Sequence, residues 1–165
     1  ISHAAGVVAV LLAPSTYRLG VDVERKRPQL LRVQTKYLHD DELPMLLPCI
    51  PDELTVLTLL WSAKEALFKL LQPPSQSLLD FRLRDFSLLP SASRRIGLFP
   101  SAPHPALRSS GCSSLATPAQ SPPLDLRPIS SGLLTFEASS SSSRLVPLSF
   151  SLYDDFLLTY CWTRE

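Results

Sequence analysis

One stretch constrains this chain more than any other: an apolar helical run with prolines at both ends. Pro44, Pro48 and Pro51 break the chain ahead of it, and Pro73-Pro74 forbids its continuation. Between them Asp52 is a good N-cap and Glu53 suits the first turn, so the pattern predicts one helix from Asp52 to Leu71. Leu57, Leu60, Trp61, Lys64, Leu67 and Phe68 recur at i, i+3 and i+4, and Leu54, Leu70 and Leu71 widen the apolar stripe. A helix of this kind needs a partner layer, and the rest of the sequence supplies strands.

Gly6 to Ala13 is a β-branched apolar run closed by Pro14-Ser15-Thr16. Arg18 to Glu24 alternates, with Leu19, Val21 and Val23 on one face and Gly20, Asp22 and Glu24 on the other. These two runs are predicted to form a half-buried hairpin. Pro28 to Leu47 is more helical, and Asp40 or Asp41 is placed to cap a short helix through Leu46. Asp80 to Leu89 alternates as a strand with Phe81, Leu83 and Asp85 on one side. Gly132 to Ala138 is a further strand, and Leu145 to Leu152 pairs with Phe156 to Thr163 across Tyr153-Asp154-Asp155. The predicted class is α+β: a first hairpin, a short and a long helix, and an antiparallel sheet of three or four strands under the long helix.

Composition narrows the function. With 165 residues and 45% apolar content the chain can build one ordinary core. A net charge of +1 gives no basic stripe for nucleic acid, and the run from Val7 to Pro14 is too short to span a bilayer. Cys49, Cys112 and Cys161 are odd in number and widely spaced, which argues against a disulfide framework and for a reducing, cytoplasmic setting. Half of the 16 prolines fall between Pro90 and Pro128. Pro90 to Ser131 is rich in Ser, Pro, Ala and Arg without periodicity, and is predicted to be a disordered insertion. Ser139 to Ser143 reads as a flexible tract. The organisation expected is thus 1–25 as the end of an N-terminal half, and 26–89 with 132–165 as a C-terminal half interrupted by 90–131.

Three carboxylates stand out. Asp22 and Glu24 lie at i, i+2 on one strand face, roughly 7 Å apart, and Glu65 sits beside the apolar stripe of the long helix. A hard cation such as Mg²⁺ takes a few carboxylate oxygens and completes its octahedron with water and phosphate. D-x-E alone is a weak signal, and a solvated strand end explains it more often. Glu65 and Lys69 likewise form an ordinary i, i+4 surface pair on the simplest reading; the alternative makes Lys69 a point charge for phosphate. The histidines His3, His39 and His104 show no zinc spacing, and no G-x-S-x-G or glycine-rich phosphate loop occurs.

Taken in order, Ser2-His3, then Leu19-Gly20-Val21-Asp22-Val23-Glu24, then Trp61-Ser62-Ala63-Lys64-Glu65-Ala66-Leu67-Phe68-Lys69 resembles the signature of the 4′-phosphopantetheinyl transferase superfamily. Leu57-Thr58-Leu59-Leu60 looks most like the enterobactin-synthase type. The resemblance implies a magnesium-dependent enzyme that moves the phosphopantetheine arm of coenzyme A to a serine of an acyl or peptidyl carrier protein, releasing 3′,5′-ADP. It implies Asp22, Glu24 and Glu65 as Mg²⁺ ligands, and Glu65 as acceptor of the serine proton, directly or through water. Lys69 would hold a phosphate and stabilise the leaving group, Lys64 would add positive charge nearby, and Ser2 with His3 would contact the 3′-phosphate. It also implies that most of the first of two similar halves is missing, with the basic residues that grip the coenzyme. Two other readings stand beside it: an inactive fragment that keeps a carrier- or metal-binding surface, and a Mg²⁺-dependent protein acting on another phosphate ligand.

Overall fold

The computed structural model describes residues 1–73, 77–89, 128–139 and 144–164. The long helix forms as its boundaries dictate. It runs Glu53–Leu71 (α3), starts after an extended Asp52 and closes on Gln72, whose left-handed backbone (φ 47°) returns its N–H to the Phe68 carbonyl ahead of Pro73. Before it lie Leu30–Val33 (α1) and Glu42–Leu46 (α2), joined through a 3₁₀ turn at Gln34–Lys36. Asp41 precedes α2 but caps nothing with its side chain. Glu42 does that work from inside the helix, accepting the His39 N–H at 2.9 Å.

The strands are Ser2–Ala4 (β1), Val7–Ala9 (β2), Tyr17–Glu24 (β3), Phe81–Leu89 (β4), Ser130–Ala138 (β5), Arg144–Leu152 (β6) and Leu157–Arg164 (β7). Five of them make one antiparallel sheet in the order β3-β7-β6-β5-β4. The fold is therefore mixed α+β, a helix on an antiparallel sheet, with more strands than the three or four expected. The addition is β3.

The first hairpin expected between Gly6–Ala13 and Arg18–Glu24 does not form. Gly6, at φ +81°, instead turns β2 back onto β1, giving a small separate ribbon. β3 pairs along its whole length with β7, from Tyr17 opposite Arg164 to Glu24 opposite Leu157. The physical reason is burial on both faces: Val21 and Val23 are buried on one and Gly20 and Asp22 on the other, which a two-stranded ribbon cannot provide.

α3 is buried nearly all round, with Val56, Leu57, Leu59, Leu60, Ala63, Ala66 and Leu67 fully shielded from solvent. They pack against Phe81, Leu83, Leu134, Phe136, Leu148 and Phe150 in one core. Each such leucine contributes about 1.5–3 kcal/mol relative to exposure. In β4, a register irregularity between Leu83 and Asp85 turns Asp85 out to solvent, although alternation placed it with Phe81 and Leu83. The insertion expected over 90–131 lies outside the described residues except for 128–131, where Ser130 and Ser131 already belong to β5. The serine tract from 139 to 143 also lies outside them, apart from Ser139.

Candidate functional site

Alternation sends Gly20, Asp22 and Glu24 of β3 toward α3, and one residue decides how closely the two elements meet. A Cβ on Gly20 would stand 2.1 Å from the Ala66 carbonyl oxygen and 3.0 Å from the Cys161 sulfur. Only glycine lets the helix backbone descend onto the strand here. On α3, Trp61, Glu65 and Lys69 fall at i, i+4 and i+8 and share the stripe that meets this strand.

Asp22 is the centre of the cluster. It is 4% exposed. Its Oδ1 accepts from Lys69 Nζ at 2.7 Å and from Ser2 Oγ at 2.8 Å. Its Oδ2 is buried without a hydrogen-bond partner. Lys69 also donates to the Val21 carbonyl (3.2 Å) and to Ser2 Oγ (3.3 Å), so all three of its N–H donors point into the cluster. The Val23 N–H reaches Ser2 Oγ at 3.3 Å.

Glu65 accepts no hydrogen bond among the described residues, yet it is electrostatically part of the group. Burial raises its pKa above the ordinary carboxylate value, the Asp22 charge raises it further, and Lys69 pulls it down. Glu24 behaves similarly: burial raises it, Arg27 opposes the shift, and Asp22 and Glu65 add to it. Glu24 Oε1 accepts from Arg27 Nη2 at 2.8 Å and Trp61 Nε1 at 3.1 Å. Three mutually repelling carboxylates with one lysine among them form a site that gains from added positive charge.

The structure brings Ser2, Asp22, Glu24, Glu65 and Lys69 together and leaves out two expected members. His3 is exposed on β1, opposite Val8, and its side chain makes no hydrogen bond among the described residues. Ser2, expected to meet a phosphate with His3, is buried and spends its hydroxyl on Asp22. Lys64, expected to add positive charge nearby, is fully buried and ion-paired at 2.7 Å with an equally buried Glu42, and donates to the Tyr37 carbonyl at 2.6 Å. Burial lowers its pKa and Glu42 opposes that fall. Adjacent residues on a helix point about 100° apart, and here Glu65 turns toward Asp22 while Lys64 turns toward Glu42 and Tyr37. Sequence reasoning missed Glu42, Tyr37, Arg27 and the Trp61 indole as parts of this assembly; only Trp61 carried a signal, as the aromatic four residues before Glu65.

Among the described residues no three His, Cys, Asp or Glu side chains converge closely enough to ligate an ion by themselves. The donor set nevertheless fits a hard cation that keeps most of its shell for water and phosphate: among the described residues Asp22 Oδ2 is an orphaned buried oxygen, and the Glu65 carboxylate and Glu24 Oε2 accept no hydrogen bond.

A family model described as the 4′-phosphopantetheinyl transferase superfamily matches residues 18–117, a span that includes Asp22, Glu24, Glu65 and Lys69. The chain belongs to the 4′-phosphopantetheinyl transferase superfamily. Membership makes it a transferase of the phosphopantetheinyl type. No curated protein and no solved structure matches the chain. The superfamily match starts within β3 and ends before β5, so it covers β3 and α3, while β7, the strand that pairs with β3, lies beyond it.

Proposed function

We propose that this chain catalyses magnesium-dependent transfer of the 4′-phosphopantetheine arm of coenzyme A to a serine of an acyl or peptidyl carrier protein, releasing 3′,5′-ADP. The observation that carries the reading is Asp22: one oxygen fixed by Ser2 and Lys69, the other buried and unpartnered beside Glu65. Such an oxygen is costly to bury unless something positive meets it.

Asp22 Oδ2 and Glu65, with Glu24 Oε2 third, are the groups that would hold Mg²⁺. When bound, that ion supplies neutralisation of the pyrophosphate and of the oxygen that leaves with 3′,5′-ADP. Glu65, its pKa raised by burial and by Asp22, is a better base than an ordinary surface carboxylate. It accepts the proton of the carrier serine as the serine oxygen forms its bond to the β-phosphorus. The bond from that phosphorus to the bridging oxygen breaks, and the electron pair leaves on 3′,5′-ADP. Lys69, 37% accessible at its side chain, faces both Asp22 and solvent and places a positive charge where the leaving phosphate accumulates negative charge. The enterobactin-synthase type and a cytosolic setting belong to the same proposal.

The test is the intact mass of an apo carrier protein after incubation with the chain, coenzyme A and Mg²⁺. The expected result is a gain of one phosphopantetheine arm, lost with EDTA or with Glu65→Ala. No gain from the folded chain, with nucleotide hydrolysis in the absence of carrier, would replace this reading with action on another phosphate ligand.

A further inference from the structure

The Trp61 indole stands between the carboxylate cluster and a buried ion pair that the transfer chemistry does not use. On one side its Nε1–H donates to Glu24 Oε1 at 3.1 Å. On the other its ring meets Tyr37 edge to face, with centroids 5.1 Å apart and an interplanar angle of 86°. Tyr37 is fully buried and cannot shift cheaply. Its carbonyl takes the Lys64 ammonium at 2.6 Å, and its hydroxyl donates to the Leu57 carbonyl at 3.4 Å. Lys64 is locked in turn by Glu42, whose carboxylate also accepts the backbone N–H groups of His39 (2.9 Å) and Leu83 (2.7 Å). A rigid path of contacts thus runs from the start of β4 through α2 and Tyr37 to the indole and ends on Glu24.

Packing against Tyr37 asks only for an aromatic ring, which phenylalanine would supply. The N–H is the part that packing does not explain. Its acceptor also receives Arg27, a half-exposed side chain on the solvent side, so Trp61 is the donor that reaches Glu24 from the ordered interior. A carboxylate held at one oxygen by a fixed donor presents its second oxygen in a defined direction.

We infer that Trp61 is a positioning residue: its indole N–H, braced by Tyr37 and the Lys64–Glu42 pair, fixes the Glu24 carboxylate so that Oε2 is available to the divalent cation of the site. The inference rests on the transferase reading for the identity of that cation. It assigns Trp61 no contact with substrate.

Two readouts on the full chain test it. The first follows the indole N–H resonances of Trp61 and of the exposed Trp162 as Mg²⁺ is added with coenzyme A; the Trp61 signal should move and saturate while that of Trp162 stays. The second compares Mn²⁺ affinity of wild type and Trp61→Phe from the free-ion resonance of Mn²⁺. The variant should bind about tenfold more weakly or worse, the usual loss when a group orienting a ligand is removed, with unchanged far-ultraviolet dichroism. A folded Trp61→Phe with wild-type Mn²⁺ affinity overturns the inference. So does a Trp61 signal that stays still, and this readout decides the matter if the variant does not fold. A chain that modifies its carrier while Trp61 stays still keeps the transferase reading and loses the inference. One whose Trp61 responds to Mg²⁺ but which modifies no carrier keeps the inference and loses the activity.

Discussion

The Lys69 ammonium lies 2.7 Å from Asp22 Oδ1, a pair that joins the C-terminal half of α3 to the centre of β3. Ser2 Oγ donates to the same oxygen from β1, at 2.8 Å. Three segments distant in sequence therefore share one acceptor atom, and the buried partner oxygen of that carboxylate is left open. Asp22→Asn keeps the shape and removes the charge. We expect carrier modification to fall by about 100-fold or more, the scale of losing one preorganised charge at such a site, with the dichroism spectrum retained. Normal turnover by the folded variant would remove Asp22 from the mechanism.

Gly20 tests the seating of the helix. Gly20→Ala places a methyl 2.1 Å from the Ala66 carbonyl oxygen, which is backbone and cannot rotate away. Overpacking of this kind costs about 1–3 kcal/mol, and it pushes Glu65 and Lys69 away from Asp22. Urea unfolding should show the loss, and activity should fall further than stability accounts for. A variant with wild-type stability would show that α3 does not sit this closely on β3.

The Lys64–Glu42 pair is fully buried, so removing one partner strands a charge. Lys64→Met or Glu42→Gln should each destabilise by about 3–5 kcal/mol, read as a lowered urea midpoint. If Lys64 instead served the coenzyme, Lys64→Met would weaken coenzyme A binding at nearly unchanged stability.

The pH dependence of stability carries a sign. Glu65 and Glu24 have folded pKa values raised above 4.5, chiefly by burial. A raised acid contributes stability that is fully present below about pH 4.5 and is lost as pH rises through its folded value. Glu65→Gln should therefore stabilise the metal-free chain at pH 7 and leave it nearly unchanged at pH 4, as measured by urea midpoints. Equal effects at both pH values would contradict the burial of this carboxylate.

Thiol chemistry checks the sheet. Cys161 is 1% exposed behind Gly20, and burial pushes its pKa up to about 12. Cys49 is exposed. At pH 8 an alkylating reagent should modify Cys49 in the folded chain and reach Cys161 only on unfolding, as peptide mass mapping would show. Equal rates would place β7 at the surface.

Much of this arrangement was legible in the residues. The prolines at 51 and 73 bound α3, Asp52 opens it, and period-two alternation puts Asp22 and Glu24 on one face of β3. The order of the motifs pointed to the superfamily, and the i, i+4 spacing set Glu65 and Lys69 on one side of the helix. These are properties of neighbours in the chain, where backbone geometry alone fixes the spacing of side chains.

What the sequence could not assign were the partners. Nothing local in Tyr17–Glu24 says that it pairs with Leu157–Arg164 rather than with the apolar run just before it; burial on both faces settles that choice. Nothing in Lys64-Glu65 says which charge turns inward. A lysine can be buried only where a carboxylate and a carbonyl already wait, and Glu42 and Tyr37 reach that place only when α2 and the segment before it fold back on α3. Ser2 likewise reached Asp22 instead of an exposed phosphate contact because the β1–β2 ribbon lays it against β3. Local periodicity fixes the elements and the faces they offer, whereas the pairing of those faces depends on contacts between residues far apart in the chain, which only the packed structure decides.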